Sequence, residues 1–150
     1  MSEVKRVTVG IPCYDHFKVE MAISLIQAFL QGFPYELHLT VQRGTYIAEG
    51  REMCVRHALE AKSDVLMFID TDIVFPPDGI HQLISLGKDI AGGNYHEKHL
   101  PLTSTVKLPD FEGKDVFYRG EATLPDQPFR AAAVATGCRE IGRASCRERV

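Results

Sequence analysis

The chain has 150 residues, a formal net charge of −3, and apolar and charged fractions of 45% and 25%. These values are typical of one soluble domain with a sizeable core, and the slight acidity argues against nucleic acid or anionic membrane as partners. No apolar run reaches the roughly 20 residues of a membrane span, and the first six residues are too short and polar for a secretory signal, so we expect a cytoplasmic protein.

The N-terminal part of the sequence predicts a strand followed by a helix. Val7, Val9 and Ile11 alternate with Thr8 and Gly10, as in a strand, and this strand is expected to end at residues 12–14. The next segment carries apolar residues at helical spacing and stops at Gly32, which predicts an amphipathic helix. These residues are Val19, Ala22, Ile23, Ile26, Phe29 and Leu30.

The same alternation is repeated twice further along the chain. Residues 35–41 predict a second strand, the apolar run 65–69 a third, and residues 76–87 a third helix. The second helix carries Ile47, Cys54, Val55, Ala58 and Leu59 on one face. The predicted strands start near Arg6, Tyr35 and Asp64, at intervals of 29 residues (35 − 6 and 64 − 35). That spacing matches βαβ units, so we predict an α/β, Rossmann-like, mostly parallel sheet flanked by helices.

The sequence beyond this region changes character. Residues 89–91 predict a short fourth strand, and residues 103–107, 116–119 and 129–136 predict shorter strands in an antiparallel or mixed extension. The four cysteines are scattered without a Cys-x-x-Cys pair, which favours reduced thiols over a zinc site or a disulfide framework.

The last eleven residues, 140–150, lose apolar periodicity and are rich in arginine. They resemble the in-frame translation of a common sequencing adapter, so we interpret them as a non-native tail. The expected organisation is therefore one incomplete domain over residues 1–139, with the native protein continuing past Arg139. A genuine basic tail is the alternative interpretation.

The third predicted strand leads directly into Asp70-Thr71-Asp72. In extended chain, residues i and i+2 project to the same side, so Asp70 and Asp72 can present hard oxygen ligands to one divalent cation. Two carboxylates hold Mn²⁺ or Mg²⁺ weakly, and such ions complete their shells with water and substrate phosphates. The pattern therefore predicts a site for a metal-bound diphosphate at the carboxyl end of a buried strand. A capping Asp70 beside a solvated Asp72 is the alternative.

Five segments together resemble the nucleotide-sugar-binding part of a GT-A type glycosyltransferase, near inverting family 2. They are residues 9–15, 50–52, 68–72, 74–77 and 91–93. The resemblance implies a GT-A fold and metal-dependent transfer of a sugar from a nucleotide-sugar, expected to be UDP-linked, to a glycan, lipid or protein acceptor. It implies no catalytic base within residues 1–139, because in this family the base lies beyond the segment matched by residues 135–138.

The resemblance also implies roles for individual residues. Asp70 contacts the ribose or the metal and Asp72 binds Mn²⁺ or Mg²⁺, with Thr71 between them in the donor site. Pro12, Cys13 and Tyr14 correspond to the loop that packs on the donor's base, where Tyr14 either stacks on the base or packs under the loop. Arg51 corresponds to a residue that binds a phosphate or ribose oxygen, and a surface ion pair with Glu49 or Glu52 is its alternative.

Two other functions remain open from the sequence. A phosphohydrolase of the haloacid-dehalogenase type also ends an apolar strand with a nucleophilic aspartate, here Asp70, followed two residues later by an acid. In that class the motif follows the first strand, whereas two strand-helix units precede Asp70 here. A nucleotide-binding module without catalytic activity is the third possibility, since fold alone does not establish activity.

Overall fold

The computed structural model describes residues 4, 6–44, 46–94, 107–109, 115–117, 128 and 138–142. The chain divides into two compact units, one formed by Met1–Ala91 with Thr136–Val150 and the other by Gly92–Ala135. In chain order the elements are β1 (Arg6–Cys13), α1 (Val19–Gln31), β2 (Glu36–Arg43), α2 (Ile47–Glu60), β3 (Val65–Ile69), α3 (Gly79–Ser85), β4 (Ile90–Gly92), β5 (Lys107–Pro109), β6 (Asp115–Phe117) and β7 (Cys138–Gly142).

Five of these strands form one sheet in the order β2-β1-β3-β7-β4. β1 pairs in parallel with β2, from Arg6 opposite Glu36 to Cys13 opposite Arg43, and in parallel with β3 on its other side. β7 pairs antiparallel with β3. Three parallel strands flanked by helices confirm the predicted Rossmann-like α/β fold.

Side chains on alternate residues of β1 and β3 divide the core between the two faces of the sheet. One face packs against α1 and α3 and the other packs against α2. The first core contains Val7, Val9, Ile11, Met21, Ala28, Val65, Met67, Ile69, Phe75, Ile80 and Ile84. The second contains Cys54, Ala58, Leu66 and Phe68. β3 is buried on both faces, which explains its unbroken apolar run.

Helix α1 buries the face opposite to the one that the sequence pattern indicated. Met21, Ser24 and Ala28 are buried against the sheet, whereas the predicted apolar face is largely exposed. Exposure reaches 70% at Val19, 59% at Ile26 and 81% at Leu30. Val19, Ile23, Ile26 and Leu30 form this outer face, at intervals of four, three and four residues. Helix α1 therefore has one apolar stripe against the sheet and a second one on its outer side. Gly32, at φ +76°, ends the helix as predicted.

Helix α2 lies very close to β1 at one glycine. A Cβ on Gly10 would lie 2.8 Å from Cys54 Cβ and 3.0 Å from Cys54 Sγ, closer than carbon atoms pack. Cys54, Ala58 and Gly50 are the buried residues of α2, while Ile47 and Leu59, predicted on the same face, are exposed. The absence of a side chain at residue 10 therefore sets the distance between helix and sheet.

The remaining predicted elements have mixed outcomes. The fourth strand is present as β4, but α3 begins at Gly79, after a turn in which the Gly79 amide donates to Pro76 O at 2.9 Å. β5 and β6 form an antiparallel pair, and the strand predicted at residues 129–136 lies outside the described residues. β7 includes Glu140, Ile141 and Gly142, so three residues assigned to the tail pair with β3. The non-native origin of the tail stays a prediction.

Within the part of the chain that the structure describes, no helix is long and apolar enough to cross a membrane.

Candidate functional site

The turn after β3 brings Asp70, Thr71 and Asp72 to the carboxyl end of the parallel strands. The Ile73 amide donates to Asp70 O at 3.2 Å, which closes the turn, and the Lys18 amide donates to Thr71 O at 3.0 Å. The second bond fixes the turn to the segment before α1. The two aspartates thus lie in a turn and not in extended chain, so the i, i+2 argument from the sequence does not describe their geometry.

Arg51 of α2 pairs with Asp70 across the edge of the sheet. Its Nη2 donates to Asp70 Oδ1 at 3.0 Å and to Oδ2 at 3.4 Å, and both side chains are about three-quarters buried. The guanidinium also lies over the Phe68 ring, 5.9 Å from the ring centroid. The alternative ion pair with Glu49 or Glu52 is not formed, because Glu52 pairs with Arg56 one turn further along α2.

One nitrogen of Arg51 is left unsatisfied at this site. Its Nε is buried and has no hydrogen-bond partner among the described residues. A buried donor without an acceptor costs roughly 1–3 kcal/mol, and an anionic oxygen reaching it would remove that cost. The Nε is therefore a sealed, unsatisfied donor, which a ligand oxygen could reach only after the Arg51 side chain moves.

A small pocket of about 200 Å³ collects most of the predicted site residues. It is lined by Pro12, Tyr14, Ile47, Asp70, Thr71 and Asp72. Both aspartates face the same space, together with one aromatic ring and two apolar side chains. Tyr14 is 74% exposed and so is not packed beneath the loop. The arrangement has the composition of a site for a ligand with an anionic part and an apolar or aromatic part.

Two residues differ from the sequence-based expectation. Cys13, predicted to bind the donor, is the last residue of β1, points into the core at 2% exposure and does not line the pocket. Ile47 lines the pocket but was assigned to the buried face of α2. Its position as the first residue of a helix that starts at this edge of the sheet was the available signal.

The thiol beneath Arg51 is chemically inert. Burial raises the pKa of Cys54 to about 11, and the positive charge of Arg51 opposes this rise only weakly. The thiol is therefore protonated at neutral pH and is neither a nucleophile nor a metal ligand. Its role in the site is to pack α2 against β1 and so to hold Arg51 in place.

The carboxylate pair suits a cation that brings most of its own ligands. Within the described residues no group of three or more His, Cys, Asp or Glu side chains is placed to hold a metal ion. Two carboxylates in one pocket fit Mn²⁺ or Mg²⁺ carried by phosphates and water, and do not fit a metal enclosed entirely by protein ligands. The histidines at 96 and 99 lie outside the described residues.

A larger groove of about 500 Å³ runs between α1 and residues 74–77. Its lining is mainly apolar, with Ile23, Val74, Phe75 and two prolines, and Glu20 as its charged residue. Its polar lining residues, Glu20, Ser24 and Gln27, include only one carboxylate, so we assign the site to the smaller pocket, which has two.

No protein-family model and no curated protein sequence matches this chain. Among solved structures it is similar to the crystal structure of A197 from STIV, with 19% sequence identity and a TM-score of 0.62. The match covers 96% of this chain and 68% of that chain. At this identity the likeness supports the fold and gives no information on activity.

Proposed function

We propose that this chain binds a nucleotide-sugar through a metal-bridged diphosphate and is the donor-binding part of a glycosyltransferase. The observation that carries the proposal is the shared pocket of Asp70, Thr71 and Asp72 beside Pro12 and Tyr14. It lies at the carboxyl ends of parallel strands, where open α/β sheets bind their ligands.

Each side chain has a role that follows from its position. Asp72 and Asp70 would hold Mn²⁺ or Mg²⁺, and the bound cation would offset the negative charge of a departing nucleoside diphosphate. Arg51 does not line the pocket, and its role would be to position Asp70 through their ion pair. The exposed ring of Tyr14 offers a stacking surface to a base such as uracil.

Calorimetric titration with UDP and with GDP, each with and without Mn²⁺, tests this proposal. We expect UDP to bind in the presence of Mn²⁺ and to bind poorly after the metal is removed with EDTA. Asp72→Ala and Arg51→Ala should each weaken Mn²⁺-dependent binding by about 10- to 100-fold, the loss expected for one charged contact.

Asp89→Ala is the matched control. Asp89 is exposed and does not line the pocket, so its loss should leave UDP binding unchanged. Weak binding of both nucleotides irrespective of metal, or equal losses in Asp72→Ala and Asp89→Ala, would contradict the proposed donor site. Binding of UDP with Mn²⁺ but no release of sugar from any UDP-sugar would favour a module that only binds nucleotide.

The phosphohydrolase alternative is tested separately with p-nitrophenyl phosphate and Mg²⁺. Turnover that Asp70→Asn abolishes would favour that alternative, because a nucleophilic carboxylate cannot be replaced by an amide. We expect no turnover, because the nucleophilic motif of that class follows the first strand, whereas Asp70 follows β3 in this chain. A cytoplasmic location remains part of the proposal, to be checked by fractionation.

A further inference from the structure

Strand β2 forms an open edge of the sheet. It pairs with β1 on one side along all eight of its residues, and no other described strand pairs with it. Exposed edge strands are normally short or carry Pro, Lys or a bulge, which prevent pairing with another chain. β2 is eight residues long, and its sequence ELHLTVQR contains neither Pro nor Lys and carries its charged residues, Glu36 and Arg43, at its two ends. Its free backbone groups are therefore available for a further strand.

The outer part of this edge is apolar on the face that also carries α1. In the parallel register, Leu39 lies beside Val9 and Val41 lies beside Ile11. Val9 and Ile11 belong to the core under α1, so Leu39 and Val41 are on the same face of the sheet. Leu39 is nevertheless 47% exposed and Val41 39% exposed. The core under α1 thus continues to the edge of the sheet, where no described residue buries these two side chains.

The exposed stripe of α1 adjoins this uncovered edge. The flank of α1 that carries Glu20, Ser24 and Gln27 lines the groove beside residues 74–77. That loop follows β3, on the far side of β1 from β2. At about 100° per residue, the opposite flank, with Phe29 and Ile26, turns toward β2. The apolar stripe of α1 and the edge of β2 therefore belong to one surface.

We propose that this surface binds a second copy of the same chain, with β2 pairing antiparallel to β2 of the partner about a two-fold axis at Thr40. This register places Leu39 opposite Val41 of the other copy on the α1 face, and it brings the two α1 helices side by side on that face. It also places Glu36, which is already paired with Arg6 of its own chain, near Arg43 of the other copy, so a carboxylate lies close to an arginine at both ends of the pair.

The available area is close to what a stable dimer requires. The six exposed apolar residues of this surface expose on the order of 500 Å² per chain, and standard interfaces bury roughly 800 Å² per partner. They are Val19, Ile26, Phe29, Leu30, Leu39 and Val41. The paired strand backbones and a polar rim would supply the remaining area. The outer face of α2, by contrast, carries the exposed Glu52–Arg56 ion pair and is suited to solvent.

Sedimentation velocity of the whole chain over a wide range of concentration tests the proposal. We expect a reversible dimer for the wild type. Leu39→Lys and Ile26→Glu should each raise the dissociation constant by at least about tenfold, since each places a charge in the interface. Leu59→Lys is the matched control: Leu59 is comparably exposed, at 40%, but lies on α2 and should not affect the dimer.

A cross-link tests the strand register. Opposed residues of antiparallel strands have Cα atoms 4.5–5.5 Å apart, within the range of a disulfide, so Thr40→Cys should form a disulfide-linked dimer on mild oxidation. Ser85→Cys, on the exposed end of α3, should give no more cross-linked product than wild type. A wild type that stays monomeric at all concentrations, a dimer that Leu59→Lys weakens equally, or a dimer in which Thr40→Cys does not cross-link would each overturn the proposal.

Discussion

Helices α1 and α2 follow successive strands and cover opposite faces of one sheet, yet their outer surfaces differ in kind. The outer surface of α2 carries an exposed Glu52–Arg56 ion pair at 2.7 Å. The outer surface of α1 carries Val19, Ile26 and Leu30. The outer surface of α2 is therefore suited to contact with solvent, while α1 has a second apolar face. The comparison shows that packing within one chain buries only one of the two apolar stripes of α1 and leaves the other exposed.

The largest expected effect distinguishes the two faces of α1. Met21→Ala should lower the free energy of unfolding by about 2–5 kcal/mol, because Met21 is fully buried and its truncation leaves a cavity. Leu30→Ala should change it by no more than about 0.5 kcal/mol, since Leu30 is exposed. Urea denaturation at low protein concentration measures both. Similar losses in the two variants would show that the outer stripe is covered within the chain.

The next effect concerns the contact of α2 with the sheet. Gly10→Ala should destabilise the protein by about 1–3 kcal/mol, because the new Cβ overlaps Cys54 Cβ. Cys54→Gly removes that atom, so the double variant should lose less stability than the sum of the single variants. Cys54→Ala keeps the Cβ at 2.8 Å and removes only the Sγ at 3.0 Å, so it should give a smaller rescue, which makes it the comparison. Additive losses in both pairs would mean that the Cys54 side chain is not the cause of the loss in Gly10→Ala.

A smaller effect compares two ion pairs of α2. A double-mutant cycle of Arg51→Ala and Asp70→Ala should give a coupling energy of about 1–2 kcal/mol, since both groups are largely buried. The same cycle for Glu52 and Arg56 should give no more than about 0.5 kcal/mol, because that pair is exposed and screened by solvent. Equal coupling energies would mean that the ion pair at the site is no stronger than the ion pair on the solvent-exposed face of α2.

The smallest effect lies at the start of β2. Hydrogen bonds from Arg6 and His38 lower the pKa of Glu36 below its ordinary value of 4.5. A carboxylate whose pKa is lower in the folded than in the unfolded state stabilises the fold above about pH 4.5. This stabilisation is lost as the pH falls through the folded-state pKa. Stability measured by urea denaturation should therefore decline less on acidification in Glu36→Gln than in wild type. Asp89→Asn, at an exposed position outside the helices and strands, is the control and should follow the wild-type curve.

The sequence predicted the strand-helix alternation well because β1 and β3 have patterns that only a covered parallel sheet explains. It did not predict which side of α1 is buried, since Met21, Ser24 and Ala28 form a weaker hydrophobic pattern than the exposed Val19, Ile26 and Leu30. Small residues such as Ser24 and Ala28 let a helix approach a sheet closely. Hydrophobicity scales give small residues little weight, so the hydrophobic pattern does not reveal this contact.

The functional site was also predicted only in part. Asp70 and Asp72 were found because carboxylates after a buried strand stand out in sequence. Cys13 was misplaced because it still belongs to β1, where alternation puts its side chain on the same buried face as Ile11. The pairing of Arg51 with Asp70, 19 residues apart, depends on how closely α2 packs on Gly10 and cannot be obtained from local patterns.

The insertion of β7 between β3 and β4 has a consequence for the order in which the sheet can form. Val65 of β3 pairs with Gly142, 77 positions later (142 − 65). The β1-β2-β3 portion can pair from the N-terminal part of the chain, whereas β4 has no neighbour among the described strands until β7 pairs with β3. A chain that lacks residues 138–142 would therefore leave one side of β3 open to pairing with other chains.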